Sequence, residues 1–354
     1  MDPYWWWGTY PEAGMGTPPG AGEGIWRMIP GSFSAELVLK LPAPSFVATH
    51  PDLPLLYAVT ERDDSTVVCV DIRDSSAPVV LDDIPSGGSG ACHVLLARDT
   101  LTLYVSHYAT GELSVIPLAA DGRLAVSRPT QVLTGSGSGP VPRRQQGPHA
   151  HFSGYSPDGS VLLVADLGTD ELRRYPIAAD GSLRADDVAV RLPAGSGPRH
   201  FATRGSFLYL VCELDHTLKT LHWDAASGTA TVEHEAPTTL VSLRSGNAVY
   251  DAHVTVVSEV VLVSVRGSDV ISVFDLGGDG MPVYRGAFDS GGAFPRYFAA
   301  VGERLIVGNE KSHQVSVFDL ADVLSLTPGD DPTIPAELPH TSTRVLSPAC
   351  VCLA

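Results

Sequence analysis

The chain has 354 residues, 44% hydrophobic and 18% charged, with 23 Lys and Arg against 40 Asp and Glu, for a formal net charge of −17. That apolar content can build a large core and excludes general disorder. The acidic balance argues against nucleic acid or an anionic membrane surface as the main partner.

Taken in chain order, the opening MDPYWWWGTYPEAG has no basic segment followed by an apolar one, so no signal peptide is expected. Three β-like runs follow one another there: YWWWGTY, GIWRMIP and AELVLKLP. A phrase then recurs six times, as STVVCVDI (65–72), GELSVIPL (111–118), DELRRYPI (170–177), HTLKTLHW (216–223), DVISVFDL (269–276) and HQVSVFDL (313–320). The steps between their ends are 46, 59, 46, 53 and 44 residues, the period of propeller blades with loop insertions. Each copy is preceded by a short run entered through Pro, Cys or His and by an apolar β-branched run, with turn residues between them.

The last run, LSPACVCLA, is a single strand left over at the C-terminus. Three N-terminal runs plus this one make a seventh blade, which removes the open edges of the sheet array. The expected fold is therefore all-β: one seven-bladed β-propeller over residues 1–354. Its blades start near 45, 91, 149, 198, 251 and 295, with a composite blade from 1–43 plus 343–354. Residues 134–148, rich in Gly, Ser and Pro, are expected to be a flexible loop with Arg143 and Arg144 solvated, steering of an anionic substrate being their alternative role, and 326–344 a loop leading to the closing strand. The tryptophans (5, 6, 7, 26 and 223) are expected to pack between blades. No apolar run reaches the roughly 18 residues of a membrane helix. Five cysteines with no CxxC pair suggest reduced thiols and a cytoplasmic protein.

Aligning the first strand of every repeat puts Ser45, His93, His151, His200, His253, Tyr297 and Cys350 at one register position. Four histidines of seven is a strong enrichment over 12 in 354, and the innermost strand lines the channel mouth. The end of the second run carries Glu61, His107, Asp166, Glu213, Arg266 and the Asn309–Glu310 pair, which converge on the same face. Charged groups ending apolar strands are poorly explained by core packing alone, although a tie between blades would account for any one of them. Arg266 and Arg296 suit carboxylate or phosphate recognition. His149 and His151 could share a metal in principle, but two histidines do not make a site, and no metal is expected. GxSxG, HExxH and P-loop motifs are absent.

The phrases PHAHFSGYSPDGSVLLVADLGTDELRRYPI, GSGPRHFATRGSFLYLVCELDHTL and FPRYFAAVGERLIVGNEKSHQVSVFDL resemble the lactonase family of seven-bladed β-propellers, which includes bacterial 6-phosphogluconolactonase and fungal carboxy-cis,cis-muconate cyclase. The resemblance covers nearly the whole chain. It implies a pocket of His149 or His151, Arg199, Glu213 and Arg266, with Asp251 standing where the family often has Glu and Glu310 where Gln is common.

The expected activity is cofactor-independent hydrolysis of a sugar or sugar-acid lactone. Arg199 or Arg266 would hold the carbonyl or an anionic group, and His151 or His200, oriented by Glu213, would take a proton from water. His93, His149, His253, Arg296 and Glu310 would contact the substrate, a lactone or an anionic sugar-acid or muconate-type molecule. A muconate-type cyclase and a non-catalytic binding propeller are the alternatives. The protein is expected to be a monomer or weak homodimer that binds neither nucleic acid nor membrane.

Overall fold

The computed structural model describes residues 4–10, 22–184, 187–243, 250–327 and 329–354; the remainder of the expected composite blade, 1–3 and 11–21, lies outside the described residues. Seven four-stranded antiparallel sheets are arranged in sequence. Blade 1 is typical, running from Phe46–Thr49 through Leu55–Val59 and Thr66–Asp71 to Val79–Pro85. The seventh sheet is the composite one: Pro348–Leu353 is innermost and pairs with Trp5–Thr9, followed by Gly24–Met28 and Ala35–Lys40.

One boundary differs from the sequence reading. His340–Arg344 is the outer strand of blade 6, not loop, and pairs with Gln314–Asp319. Its sequence, HTSTR, is mostly exposed and has no apolar alternation to announce a strand. Among the described residues the one helix is the single turn Leu320–Leu324, and none is long and apolar enough to cross a membrane.

The core lies between blades. Along the second strand of blade 1, Leu55, Tyr57 and Val59 pack towards blade 2, whereas Leu56 and Ala58 pack towards Trp6 and Ile25 of blade 7. Both faces are buried, which is why such strands read as continuous apolar runs rather than alternating ones. Tyr57, Tyr104 and Tyr209 clip neighbours together, each donating its hydroxyl to the carbonyl of a turn glycine in the next blade (Gly122, Gly181 and Gly280) at 2.7, 2.9 and 3.0 Å. Those glycines have φ near +80°, which Asp-Gly turns require.

The inner strands carry a shared irregularity. A β-bulge falls at Cys92, His151, Arg199, Ala252 and Arg296, where one extra residue opposes the second strand. A bulge re-aims side chains, so both the bulged residue and the next one face the axis. The residues after the bulge, together with Phe46 of blade 1, form a closed belt: Phe46–His93 (ring centroids 4.4 Å apart), His93–Phe152 (4.3 Å), Phe152–His200 (4.6 Å), His200–His253 (5.2 Å), His253–Tyr297 (4.1 Å) and Tyr297–Phe46 (5.8 Å). This belt plugs the channel. It corrects the expected register, because Phe152, not His151, is the equivalent of His93, His200 and His253.

Two predictions follow from this packing. Trp7 is fully buried between blade 6 and the closing strand, so Trp7→Ala should cost about 3–5 kcal/mol, read from urea unfolding. Burial pushes the imidazoles of His93 and His253 from 6.5 down to about 3. Their unfolded forms take up protons below about pH 6.5 while the native forms do not, so stability is lost as pH falls through that window. Glu61 and Asp251, raised by burial, act in the opposite sense. His93→Asn keeps an acceptor near the Ser153 N–H but cannot titrate. Between pH 7 and pH 5 it should lose about 2 kcal/mol less stability than the parent chain.

Candidate functional site

Directly above the aromatic belt, the bulged residues and the residues just after the second strands meet. Glu61, Glu213 and Glu310 are equivalent in their blades. Each donates its main-chain N–H to the residue leading into its own first strand (Ala43 O at 2.9 Å, Gly197 O at 2.7 Å and Phe294 O at 3.0 Å), and this aims the side chain at the axis. Arg266 and Tyr108 occupy the same position in blades 5 and 2. The sequence alignment had mixed this position with the one before it. His107, Asp166 and Asn309 belong to that earlier position and serve as ties: His107 Nε2 meets Ser86 Oγ at 2.9 Å, Asp166 accepts the His149 N–H at 2.7 Å, and Asn309 donates to Ser290 O at 2.9 Å.

Glu213 is the hub. Its Oε1 accepts from Arg144 Nη2 at 2.6 Å, its Oε2 accepts from Arg266 Nη2 at 2.9 Å, and Arg199 Nε stands 3.0 Å from the same oxygen. Burial alone would raise this carboxyl, but Arg266, Arg144 and Arg199 outweigh it and hold it well below the usual carboxylate range. The guanidiniums are themselves fixed. Arg199 also donates to Ala252 O, and Arg266 donates to Tyr250 O at 2.9 Å and Asp251 O at 3.1 Å. Burial and the adjacent Arg266 bring Arg199 down to about 9, still charged at neutral pH. Across the mouth, Arg296 donates to Glu310 Oε2 at 3.2 Å and lies 3.7 Å over the Tyr10 ring. Glu213 therefore accepts from arginines and makes no hydrogen bond to His151 or His200.

Arg144 is the residue that sequence reasoning missed. The loop expected to leave it solvated is pinned by its neighbour Gln145, whose buried side chain donates to Leu167 O at 2.9 Å and Asp170 Oδ1 at 2.7 Å and accepts from the Val141 N–H at 3.1 Å. That anchor turns Arg144 inward, where it also donates to the Tyr108 hydroxyl at 3.1 Å. Its side chain is 17% exposed, whereas Arg143 stays in solvent. The signal was present as an amide and a guanidinium directly before PHAH, within an otherwise Gly- and Pro-rich stretch.

The histidines separate into two levels. His149 stacks on Tyr108 at 4.7 Å and binds Tyr108 O through Nδ1. His151 lines the axial cavity with its Nδ1 unpartnered. His93, His200 and His253 lie in the belt below; His93 meets Ser153 Oγ at 3.2 Å, and the Nδ1 atoms of His200 and His253 are 2.9 Å apart. Of these three, His200 also reaches the cavity wall. Burial, reinforced by the charge of Arg199, keeps both His151 and His200 well below 6.5 and therefore neutral. Among the described residues, no three His, Cys or carboxylate side chains are placed to hold a metal ion.

Four guanidinium groups thus face three carboxyls in buried space, a positive surplus inside a chain of net charge −17. A buried surplus of this sign recruits an anion, and guanidinium forks match carboxylate or phosphate geometry.

Known proteins share this architecture. The chain is 28% identical over 294 residues to a 6-phosphogluconolactonase of Bacillus subtilis, covering 80% of this chain and 82% of that one. It is 26% identical over 302 residues to a 6-phosphogluconolactonase of Pectobacterium carotovorum, covering 82% of each. Among solved structures, a Lactobacillus plantarum protein superposes with a TM-score of 0.83 at 24% identity over 100% of both chains. A periplasmic gluconolactonase of Pseudomonas aeruginosa gives 0.80 at 24% identity, covering 100% of this chain and 99% of that one. Residues 32–327 match the profile of the family described as "Lactonase, 7-bladed beta-propeller", and by that match the chain belongs to the lactonase family of seven-bladed β-propellers.

Proposed function

We propose that the protein hydrolyses a sugar lactone bearing a negatively charged group, of the 6-phosphogluconolactone type. The observation that carries this reading is the convergence of Arg144, Arg199 and Arg266 on one buried carboxylate, with Arg296 facing them. The names of the Bacillus and Pectobacterium relatives support the substrate class.

Arg144 comes from a loop and is the least buried of the four, so it is the one that can exchange its Glu213 contact for a phosphate or carboxylate of the substrate. Arg199 and Arg266 are held rigidly by main-chain carbonyls and would stabilise charge building on the lactone carbonyl oxygen. One well-placed donor of this kind is worth roughly 10²–10³ in rate. His151, neutral and with Nδ1 free, would accept a hydrogen bond from the attacking water. His93, His149, His253 and Glu310 fall to a supporting role in this reading. The aromatic belt closes the channel beneath the reacting group and keeps bulk water from entering from below.

The parent chain should hydrolyse a phosphorylated sugar lactone with a kcat/KM well above that for the unphosphorylated one. Arg199→Ala should lower kcat roughly 10²–10³-fold. Arg144→Ala should raise KM roughly tenfold or more with kcat changed little, as expected for loss of uniform binding. Steady-state rates on a lactone panel check all three expectations. Equal turnover by parent and Arg199→Ala, or none by either, would reject the reading.

A further inference from the structure

Glu61 is the acid of the site that no arginine neutralises by a direct bond. Glu213 accepts from Arg144 and Arg266 and lies against Arg199, and Glu310 accepts from Arg296. Glu61 occupies the equivalent position in blade 1 and is 3% exposed, yet its Oε2 has no hydrogen-bond partner. Glu61 belongs to the wall of the axial cavity beneath the guanidinium cluster, which is also formed by Ser45, Cys92, His151, Arg199 and Arg296. Ser45 Oγ and His151 Nδ1 of that wall are also unpartnered, and Arg199 Nε has only its ion pair with Glu213. Ser45 lies beside the Glu61 carboxyl without closing a hydrogen bond of full geometry.

A carboxyl held purely for structure would be paired, since an orphaned buried polar atom costs about 1–3 kcal/mol. Three such atoms around one cavity describe a polar ligand with several hydrogen bonds. The space open to the centre of a water molecule is about 10 Å³, enough for about one water and too little for a sugar ring. A water there can donate to Glu61 and to His151 and exchange a bond with Ser45, within the two to four partners typical of buried waters.

We propose that Glu61 is a further catalytic residue, a carboxyl group that takes a proton from a water held in the axial cavity and returns it to the leaving oxygen of the substrate. The inference rests on the lactonase reading above. The water oxygen bonds to the lactone carbonyl carbon as one of its protons passes to the Glu61 carboxylate. The bond between that carbon and the ring oxygen then breaks, and Glu61 returns the proton to the ring oxygen. The product is a hydroxy acid, the sum of lactone and water, and no other reactant is consumed.

The electrostatics agree. Burial raises Glu61 above the usual carboxylate range, against the opposing pull of Arg296, Ser45 and Arg199 and with help from Glu310. Glu213, by contrast, is held far too acidic to carry a proton, and His151 and His200 are too weakly basic. An acid–base group works best when its proton affinity lies near the working pH.

The test compares pH–rate profiles of the parent, Glu61→Gln and Glu61→Asp on the best lactone substrate, with thermal unfolding as a folding control. Glu61→Gln should lose roughly 10²–10⁴-fold in kcat with KM nearly unchanged, and the acidic limb of the kcat profile should disappear. Glu61→Asp should recover part of the rate together with that limb. A folded Glu61→Gln within about threefold of the parent kcat, with the limb intact, overturns the proposal. Infrared difference titration needs no turnover. The parent should show a protonated carboxyl band that persists above the ordinary carboxylate range and is missing from Glu61→Gln. If the parent hydrolyses no lactone, the lactonase reading fails by itself. A missing band then overturns the role of Glu61 as well, whereas its presence upholds Glu61 as the proton-exchanging carboxyl of the cavity.

Discussion

The extra residue at the start of the inner strands is the constraint on which the site depends. In a regular strand, consecutive side chains point to opposite faces, and a propeller blade would show the axis only every second one. The bulge at Cys92, His151, Arg199, Ala252 and Arg296 breaks that alternation and offers two successive side chains to the channel from one blade. The upper of the two supplies guanidinium or imidazole chemistry, as in Arg199 and Arg296. The lower supplies an aromatic ring, as in His200 and Tyr297. Part of the upper layer, His151, Arg199 and Arg296, and most of the floor beneath it are thereby supplied by these bulged strands.

That arrangement brings like charges together, and their repulsion has to be offset locally. Arg144, Arg199 and Arg266 would be expelled from one another's company without Glu213, and a lone carboxylate in that buried position would be equally costly. Main-chain carbonyls hold Arg199 and Arg266 beside Glu213, and the Tyr108 hydroxyl holds Arg144, which fixes the fork directions. The remaining positive surplus is left for a ligand. In a strongly acidic chain such a site attracts anions only over a short range, because the net charge of −17 repels them from afar and dissolved salt screens the site's own field beyond about a Debye length. Discrimination therefore comes from contact geometry more than from steering.

The fold was legible because both faces of the second and third strands are buried. Their apolar runs stand out, and Asp-Gly turns and repeated tyrosines such as Tyr57, Tyr104 and Tyr209 keep the period. The composite blade could be read from leftover runs at the two ends. His340–Arg344 could not, because an outermost strand with exposed threonines carries no burial pattern. At the site, the residue types were legible and the register was not. PHAHF and PRHF look alike, but the bulge lies one residue before Phe152 and two residues before Phe201, so His151 is the counterpart of Arg199 and not of His200. Conversely, Arg144 was hidden by composition. A Gly- and Pro-rich segment reads as mobile, and nothing local reveals that Gln145 finds Leu167 O and Asp170 across the loop.

Arg144 is also set apart by how it reaches the site. Arg199, Arg266 and Arg296 come from strands or strand ends whose positions are fixed by the packing of whole blades. Arg144 is fixed by one amide side chain and by its own ion pair with Glu213. Its contacts with Glu213 and Tyr108 bridge blades 4 and 2 across the mouth of the site, above the cavity lined by Ser45, Glu61 and His151. In the proposed reading, a ligand carrying an anionic group would replace the Glu213 carboxylate as the partner of Arg144 without disturbing the other arginines, so that binding and opening would be one exchange of hydrogen bonds. On that proposal the free-energy cost of admitting the substrate would be confined to a loop, and the preorganised pair of Arg199 and Arg266 would stay where charge develops.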